Sequence, residues 1–112
     1  MRYIVYCRKS TDEKDRQVLS IDAQISELKE FALREKLQII DFVIESKTAK
    51  EPGREKFADV IKRIEKGEAN GILSWHPDRL ARNSIDGGRI IYLLDIGKLS
   101  DLKFPTFWFE NT

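Results

Sequence analysis

At 112 residues with one cysteine, the chain is a single domain, long enough to bury a core but unable to close an internal disulfide. Lys plus Arg (20) nearly balance Asp plus Glu (19), and a net charge of +1 excludes a globally basic nucleic-acid binder, so any phosphate binding must come from a local cluster of cations. With 35% charged residues, no run of about 18 apolar residues, no secretory signal and no metal-type Cys/His spacing, the chain is expected to be cytoplasmic and soluble and to need no metal or cofactor.

The first predicted element is a strand over Tyr3-Ile4-Val5-Tyr6-Cys7, whose unbroken apolar run fits a strand covered on both faces of a parallel sheet. It ends in Arg8, Lys9 and Ser10, a hydroxyl and two cations delivered to one edge. Cys7 reads as a small core residue turned away from Arg8 by strand alternation. A polar loop runs to Leu19. Ser20 then stands as the N-cap of an amphipathic helix that carries Ile21, Ile25, Leu28 and Phe31 and reaches about Lys36. A second strand follows over Leu37 to Ile44, and Glu45 opens a loop containing Pro52, which suits a helix start.

Phe57, Val60, Ile61 and Ile64 form the stripe of the second helix, which Gly67 is placed to end. Gly71 to Trp75 is a short third strand, and His76 to Ser84 a loop or first helical turn in which His76 reads as an exposed loop residue. From Ile85 to Leu94 the pattern is helical despite Gly87-Gly88, with Gly97 as the stop, and Pro105 to Phe109 is expected to be a fourth strand. Alternating strands and helices with connections of this length predict right-handed βαβ units. The fold class is therefore α/β, a three-layer sandwich with a mainly parallel four- or five-stranded sheet.

This topology brings polar residues from separate loops to the carboxyl edge, where open α/β sheets bind ligands. Ser10 follows the first strand, Glu45 the second, Arg79 and Arg82 the third, and Arg54 opens the second helix. Guanidinium forks that pair two phosphate oxygens and never lose their charge suit a phosphodiester. A small sulfate, a nucleotide or an acidic peptide would satisfy the same cluster.

Four stretches in order, Tyr6-Cys7-Arg8-Lys9-Ser10-Thr11, Ser20-Ile21-Asp22-Ala23-Gln24, Pro52-Gly53-Arg54-Glu55-Lys56-Phe57 and Asp78-Arg79-Leu80-Ala81-Arg82-Asn83, together resemble the catalytic domain of the serine recombinases. That family includes resolvases, DNA invertases and large serine integrases, and the resemblance runs from Tyr3 to about Trp108. It implies site-specific DNA recombination, with Ser10 as the nucleophile that forms a 5′-phosphoserine link and frees a 3′ hydroxyl. It also implies Arg8, Arg54, Arg79 and Arg82 as the catalytic arginines, with Asp78, Gln24, Glu45 and Tyr6 in support. Fixed arginines can stabilise the charge that phosphoryl transfer develops where no metal cluster is present. The implied partners are double-stranded DNA and further copies of the chain, from dimer to tetramer, with no membrane and no cofactor.

Glu45 departs from the aspartate usual in the family, and Ser46-Lys47-Thr48-Ala49-Lys50 replaces its small, glycine-containing loop. Residues 1–112 are expected to be the catalytic domain of a longer protein, ending before the long oligomerisation helix and the DNA-binding domains. The face that helix would cover is expected to draw on Ile90, Ile91, Leu94 and Phe107 to Phe109. The phrasing lies closer to large integrases and transposon recombinases than to small resolvases. The alternatives are a non-catalytic assembly or DNA-associated module, and a small-molecule phosphate enzyme. The latter would normally carry a Gly-rich phosphate loop or a Cys-x5-Arg spacing, and the sequence has neither.

Overall fold

The structure, a computed structural model, describes residues 1–9, 20–46 and 52–105. Its elements in chain order are β1 (Arg2–Arg8), α1 (Ile21–Arg34), β2 (Gln38–Glu45), α2 (Glu55–Glu65), β3 (Gly71–Ser74), α3 (Pro77–Leu80), α4 (Ser84–Asp95) and β4 (Asp101–Lys103). The strands form one parallel sheet in the order β2-β1-β3-β4. None of the described helices is long and apolar enough to cross a membrane.

β1 runs through the interior of the sheet and divides its side chains by parity, as a strand must. Ile4 and Tyr6 enter a core with Phe57, Val60, Ile61 and Ile64 of α2 and Ile90 and Leu93 of α4. Tyr3, Val5 and Cys7 enter a second core on the opposite face, with Leu28 and Ala32 of α1. The sandwich thus has helices on both faces, which is why β1 is apolar without alternation.

The helix boundaries follow local chemistry. Ser20 caps α1, its Oγ accepting from the Ala23 N–H at 3.2 Å. Along α1 the most deeply buried positions are Gln24, Leu28 and Ala32, while Ile21, Ile25 and Phe31 flank them and are only half-buried. The helix ends through Lys36, a non-glycine residue at φ 56°, and Gly67 (φ 81°) supplies the corresponding turn after α2. On α4, Ile91 and Tyr92 are exposed and Leu94 is half-buried, but Ile90 faces the core at 6% exposure and so leaves the expected outer surface.

The fourth strand is Asp101–Lys103, with Pro105 in the turn beyond it. The strand thus precedes Pro105, contrary to the expectation from the aromatic pattern. Only Leu102 is buried in this three-residue strand, and three residues carry no readable alternation. The rest of the expected strand, 106–109, lies outside the described residues.

Tyr3, Gly71 and Asp101 stand side by side on β1, β3 and β4, and the Tyr3 ring crosses Gly71 so that its hydroxyl donates to Asp101 at 2.6 Å. A Cβ at position 71 would lie 2.5 Å from the Tyr3 ring. Gly71→Ala is therefore expected to destabilise the fold by about 1–3 kcal/mol in urea unfolding, and by much less when Tyr3 is first replaced by Leu.

Three titratable side chains of β1 are protonated in the fold. Burial, aided by a carboxylate acceptor, raises the Tyr3 and Tyr6 phenols above their ordinary value of 10.0, and burial pushes the Cys7 thiol up to about 11. Raised pKa values mean the folded state keeps protons that the unfolded chain releases, so this stability is whole below about pH 9 and is lost as pH rises through 9 to 11 and beyond. The urea midpoint should hold steady to about pH 9 and then fall. A midpoint unchanged at higher pH would contradict the burial of these groups.

Candidate active site

At its carboxyl end β1 delivers Arg8, which meets the segment after β3 and the start of α1. Arg8 is fully buried, and its Nε donates to the main-chain oxygen of Arg79 at 3.1 Å. Gln24, buried on α1, donates from Nε2 to the Arg8 carbonyl at 3.1 Å. The Lys9 N–H continues the ladder to the Glu45 carbonyl at 2.9 Å, while its side chain is exposed. The main chain leading into Ser10 is thus held from β2, α1 and the segment after β3. Ser10 itself lies outside the described residues.

Glu45 ends β2 and is 4% exposed. Its carboxylate accepts the N–H groups of Lys56 (3.0 Å) and Phe57 (3.1 Å) in the first turn of α2, and it also accepts the Tyr6 hydroxyl. Helix N-termini present unpaired N–H groups and a partial positive charge, so a carboxylate is well placed there. Glu45 therefore does the capping that Arg54, the residue at the N-cap position, does not do with its own side chain. The longer glutamate still reaches both the helix and Tyr6.

Arg54 turns inward and is 2% exposed. Its Nη1 donates to the Tyr6 hydroxyl at 3.0 Å and its Nη2 to Asp86 at 3.0 Å, while its guanidinium carbon stands 4.1 Å from the centroid of the Phe57 ring. Tyr6 and Phe57 pack edge to face at 5.9 Å. The Tyr6 phenol, raised by burial and by its bond to Glu45, stays protonated, which it must be to donate to that carboxylate.

The segment after β3 carries the remaining candidates. α3 is one turn, Pro77–Leu80, anchored by Leu80 in the core, and it places Arg79 at 7% exposure while Arg82 beyond it is exposed. Asp78 lies in this turn, but its side chain is outside the described set. His76 is half-buried, and its carbonyl accepts from the Arg79 N–H at 2.9 Å. The sequence-predicted residues Tyr6, Arg8, Gln24, Glu45, Arg54 and Arg79 thus meet on one edge, with Arg82 at its rim.

One central residue went unseen in the sequence. Asp86 is 1% exposed and binds both Arg54 and the Asn83 side chain, whose Nδ2 donates to it at 2.8 Å. The Asn83-x-x-Asp86 spacing is legible as a helix-start signature, and Asn83 does cap α4 by accepting the Asp86 N–H at 2.9 Å. Nothing in that spacing points to Arg54, which is 32 residues away.

Among the described residues, no three His, Cys, Asp or Glu side chains gather as a metal site. What the edge offers is guanidinium charge braced by carboxylates and main-chain carbonyls, an arrangement suited to holding an anionic ester.

No curated protein matches the chain in sequence. Solved structures do match. The C-terminal catalytic domain of ISC1926 TnpA, an IS607-like serine recombinase, superposes with a TM-score of 0.75 at 17% identity, over 96% of this chain and 72% of that one. The first ORF in transposon ISC1904 from Sulfolobus solfataricus P2 gives 0.70 at 18% identity, over 96% and 69%. The N-terminal catalytic domain of TP901-1 integrase gives 0.68 at 25% identity, over 88% and 69%. The family described as "Resolvase, N terminal domain" matches residues 3–100, nearly the whole described fold, and the chain belongs to that family.

Proposed function

We propose that this domain cleaves and rejoins DNA at specific sites through Ser10. Family membership supports site-specific recombination in general. The observation that carries the finer reading is the bracing of the main chain that leads into Ser10, where Arg8 Nε donates to the Arg79 carbonyl and Gln24 holds the Arg8 carbonyl, with Arg82 exposed just beyond α3. The Ser10 hydroxyl attacks the phosphorus of a DNA phosphodiester and gives up its proton. A P–O bond forms to serine, the bond to the 3′ oxygen breaks, and that oxygen leaves as a hydroxyl after taking up a proton. The 5′ end stays on the protein as a phosphoserine ester, and attack by a 3′ hydroxyl reverses the step and rejoins the strand.

Negative charge grows on the phosphate oxygens and on the leaving oxygen during this transfer, and fixed guanidinium groups lower that cost without reorganising. Gln24 holds the Arg8 carbonyl and so steadies the approach of the nucleophile. Asp78 is assigned to orienting the arginines beside it. The near-complete burial of Arg54 and its bonds from Nη1 to Tyr6 and from Nη2 to Asp86 favour a supporting part for it. Two copies at each of two DNA sites would be required for exchange, which makes the working form a tetramer on double-stranded DNA.

In the full-length protein, Ser10→Ala should abolish the covalent protein–DNA adduct seen on denaturing gels while leaving DNA binding largely intact. An adduct that persists in this variant would remove Ser10 as the nucleophile. Arg82→Ala should lower the cleavage rate by on the order of 10²-fold, with stability changed by less than about 0.5 kcal/mol because the residue is exposed. Arg79 is a poorer probe, since its burial ties its replacement to the packing of the loop.

A further inference from the structure

Arg54 stands where stability alone would not place it. A cation at the N-cap of α2 faces the positive end of the helix, and a neighbouring strand has to supply the carboxylate that caps it. The side chains of Arg54 and Asp86 are 1% and 2% exposed, so both charges have lost their water. A buried ion pair of this kind is often no more stabilising than two well-packed apolar residues. The Arg54 Nε, moreover, has no hydrogen-bond partner among the described residues, an imperfection in a device built only for stability.

The connections made by the pair are more telling. Asp86 Oδ2 joins Arg54 to Asn83, the N-cap of α4, and Arg82 is the residue immediately before that cap. On its other side Arg54 joins Tyr6, two residues before Arg8 on β1, and Tyr6 in turn binds Glu45 at the head of α2. A continuous polar chain therefore runs from the base of the Arg79–Arg82 segment to the strand that carries Arg8. The bond from the Arg8 side-chain Nε to the Arg79 main-chain oxygen spans the same gap.

We propose that Asp86 is a positioning residue for the cleavage reaction, acting through Asn83 and Arg54 to set the Arg79–Arg82 segment against β1, and that Arg54 is its relay and does not touch DNA. This rests on the reading of the domain as a DNA-cleaving recombinase. The pair acts on geometry: a shift of about 1 Å between arginines that share one phosphate costs far more in rate than in binding.

The test uses the full-length protein with three variants, Asp86→Asn, Asp86→Glu and the paired apolar replacement Asp86→Leu with Arg54→Met, which removes both buried charges and so protects folding. Circular dichroism and unfolding confirm the fold of each. Adduct formation is then followed at saturating DNA, and DNA affinity is measured against salt. The expected result is a maximal cleavage rate lowered by on the order of tenfold or more in Asp86→Asn and in the folded pair replacement, with partial recovery in Asp86→Glu. The slope of log affinity against log salt should stay at the wild-type value, because a residue that contacts no phosphate releases no counterion. Wild-type cleavage in the folded pair replacement would reduce the pair to core filling and overturn the proposal. A salt slope lower by about 0.9 in the variant lacking Arg54 would show that Arg54 binds a phosphate and would overturn it as well. Absence of any adduct in the wild-type protein would instead overturn the recombinase reading itself, and this inference with it.

Discussion

The carboxylate of Glu45 is the group on which the carboxyl edge depends. It sits at the end of β2, satisfies two peptide N–H groups that open α2, and receives the Tyr6 hydroxyl from β1. Those are three elements distant in sequence, and one side chain sets their relative heights. Because α2 is fixed in this way, Arg54 is free to turn inward over Phe57 instead of serving as a cap. Without the carboxylate, peptide donors at the head of α2 and a phenol would lose a buried acceptor together, and leaving such groups unpaired costs about 1–3 kcal/mol each.

The two cores have different duties around that edge. Under α1 the sheet face is filled with Val5, Cys7, Leu28 and Leu73, and its one buried polar insertion on the helix is Gln24, which reaches the Arg8 carbonyl. On the other face, the large apolar core of α2 and α4 ends at Tyr6 and Phe57, and charged groups continue from there. The transition from apolar packing to ion pairs takes place within one turn of each helix. Electrostatic interactions formed in such surroundings are poorly screened, so the orientations of the arginines are strongly determined.

Much of this was legible in the chain. The double-covered character of β1 followed from Tyr3 to Cys7 alone, the Ser20 cap from one hydroxyl before an amphipathic stripe, and the stop after α2 from Gly67. Residues placed by local chemistry at strand ends, such as Arg8 and Glu45, arrived together because parallel topology puts them there. Position along the chain says nothing about side-chain direction in a loop, however. Arg54 at a helix start reads as a phosphate-facing cation, and only tertiary packing shows it boxed in by Phe57, Tyr6 and Asp86. β4 escaped the sequence pattern for a related reason: three residues, two of them charged, carry less signal than the aromatic run that follows them.

Burial also bears on how the domain can meet DNA. Arg8 is fully buried, Arg54 and Arg79 are nearly so, and Arg82 alone of these arginines lies open at the rim. On the proposed reading, a phosphodiester meets Arg82 as the exposed guanidinium of these four, while Arg8 Nε is engaged with the Arg79 carbonyl and Arg54 with Asp86. Since DNA affinity scales with the number of phosphates neutralised, these four arginines would, on the proposed reading, add little to binding, in keeping with a net charge of +1. An arginine such as Arg8, held by a protein carbonyl in the ground state, is costly to expose, and its strongest new partner would be a phosphate that carries extra charge. On the proposed chemistry that condition is met during transfer, so the same burial that weakens encounter with DNA favours stabilisation of the reacting phosphate over the resting one.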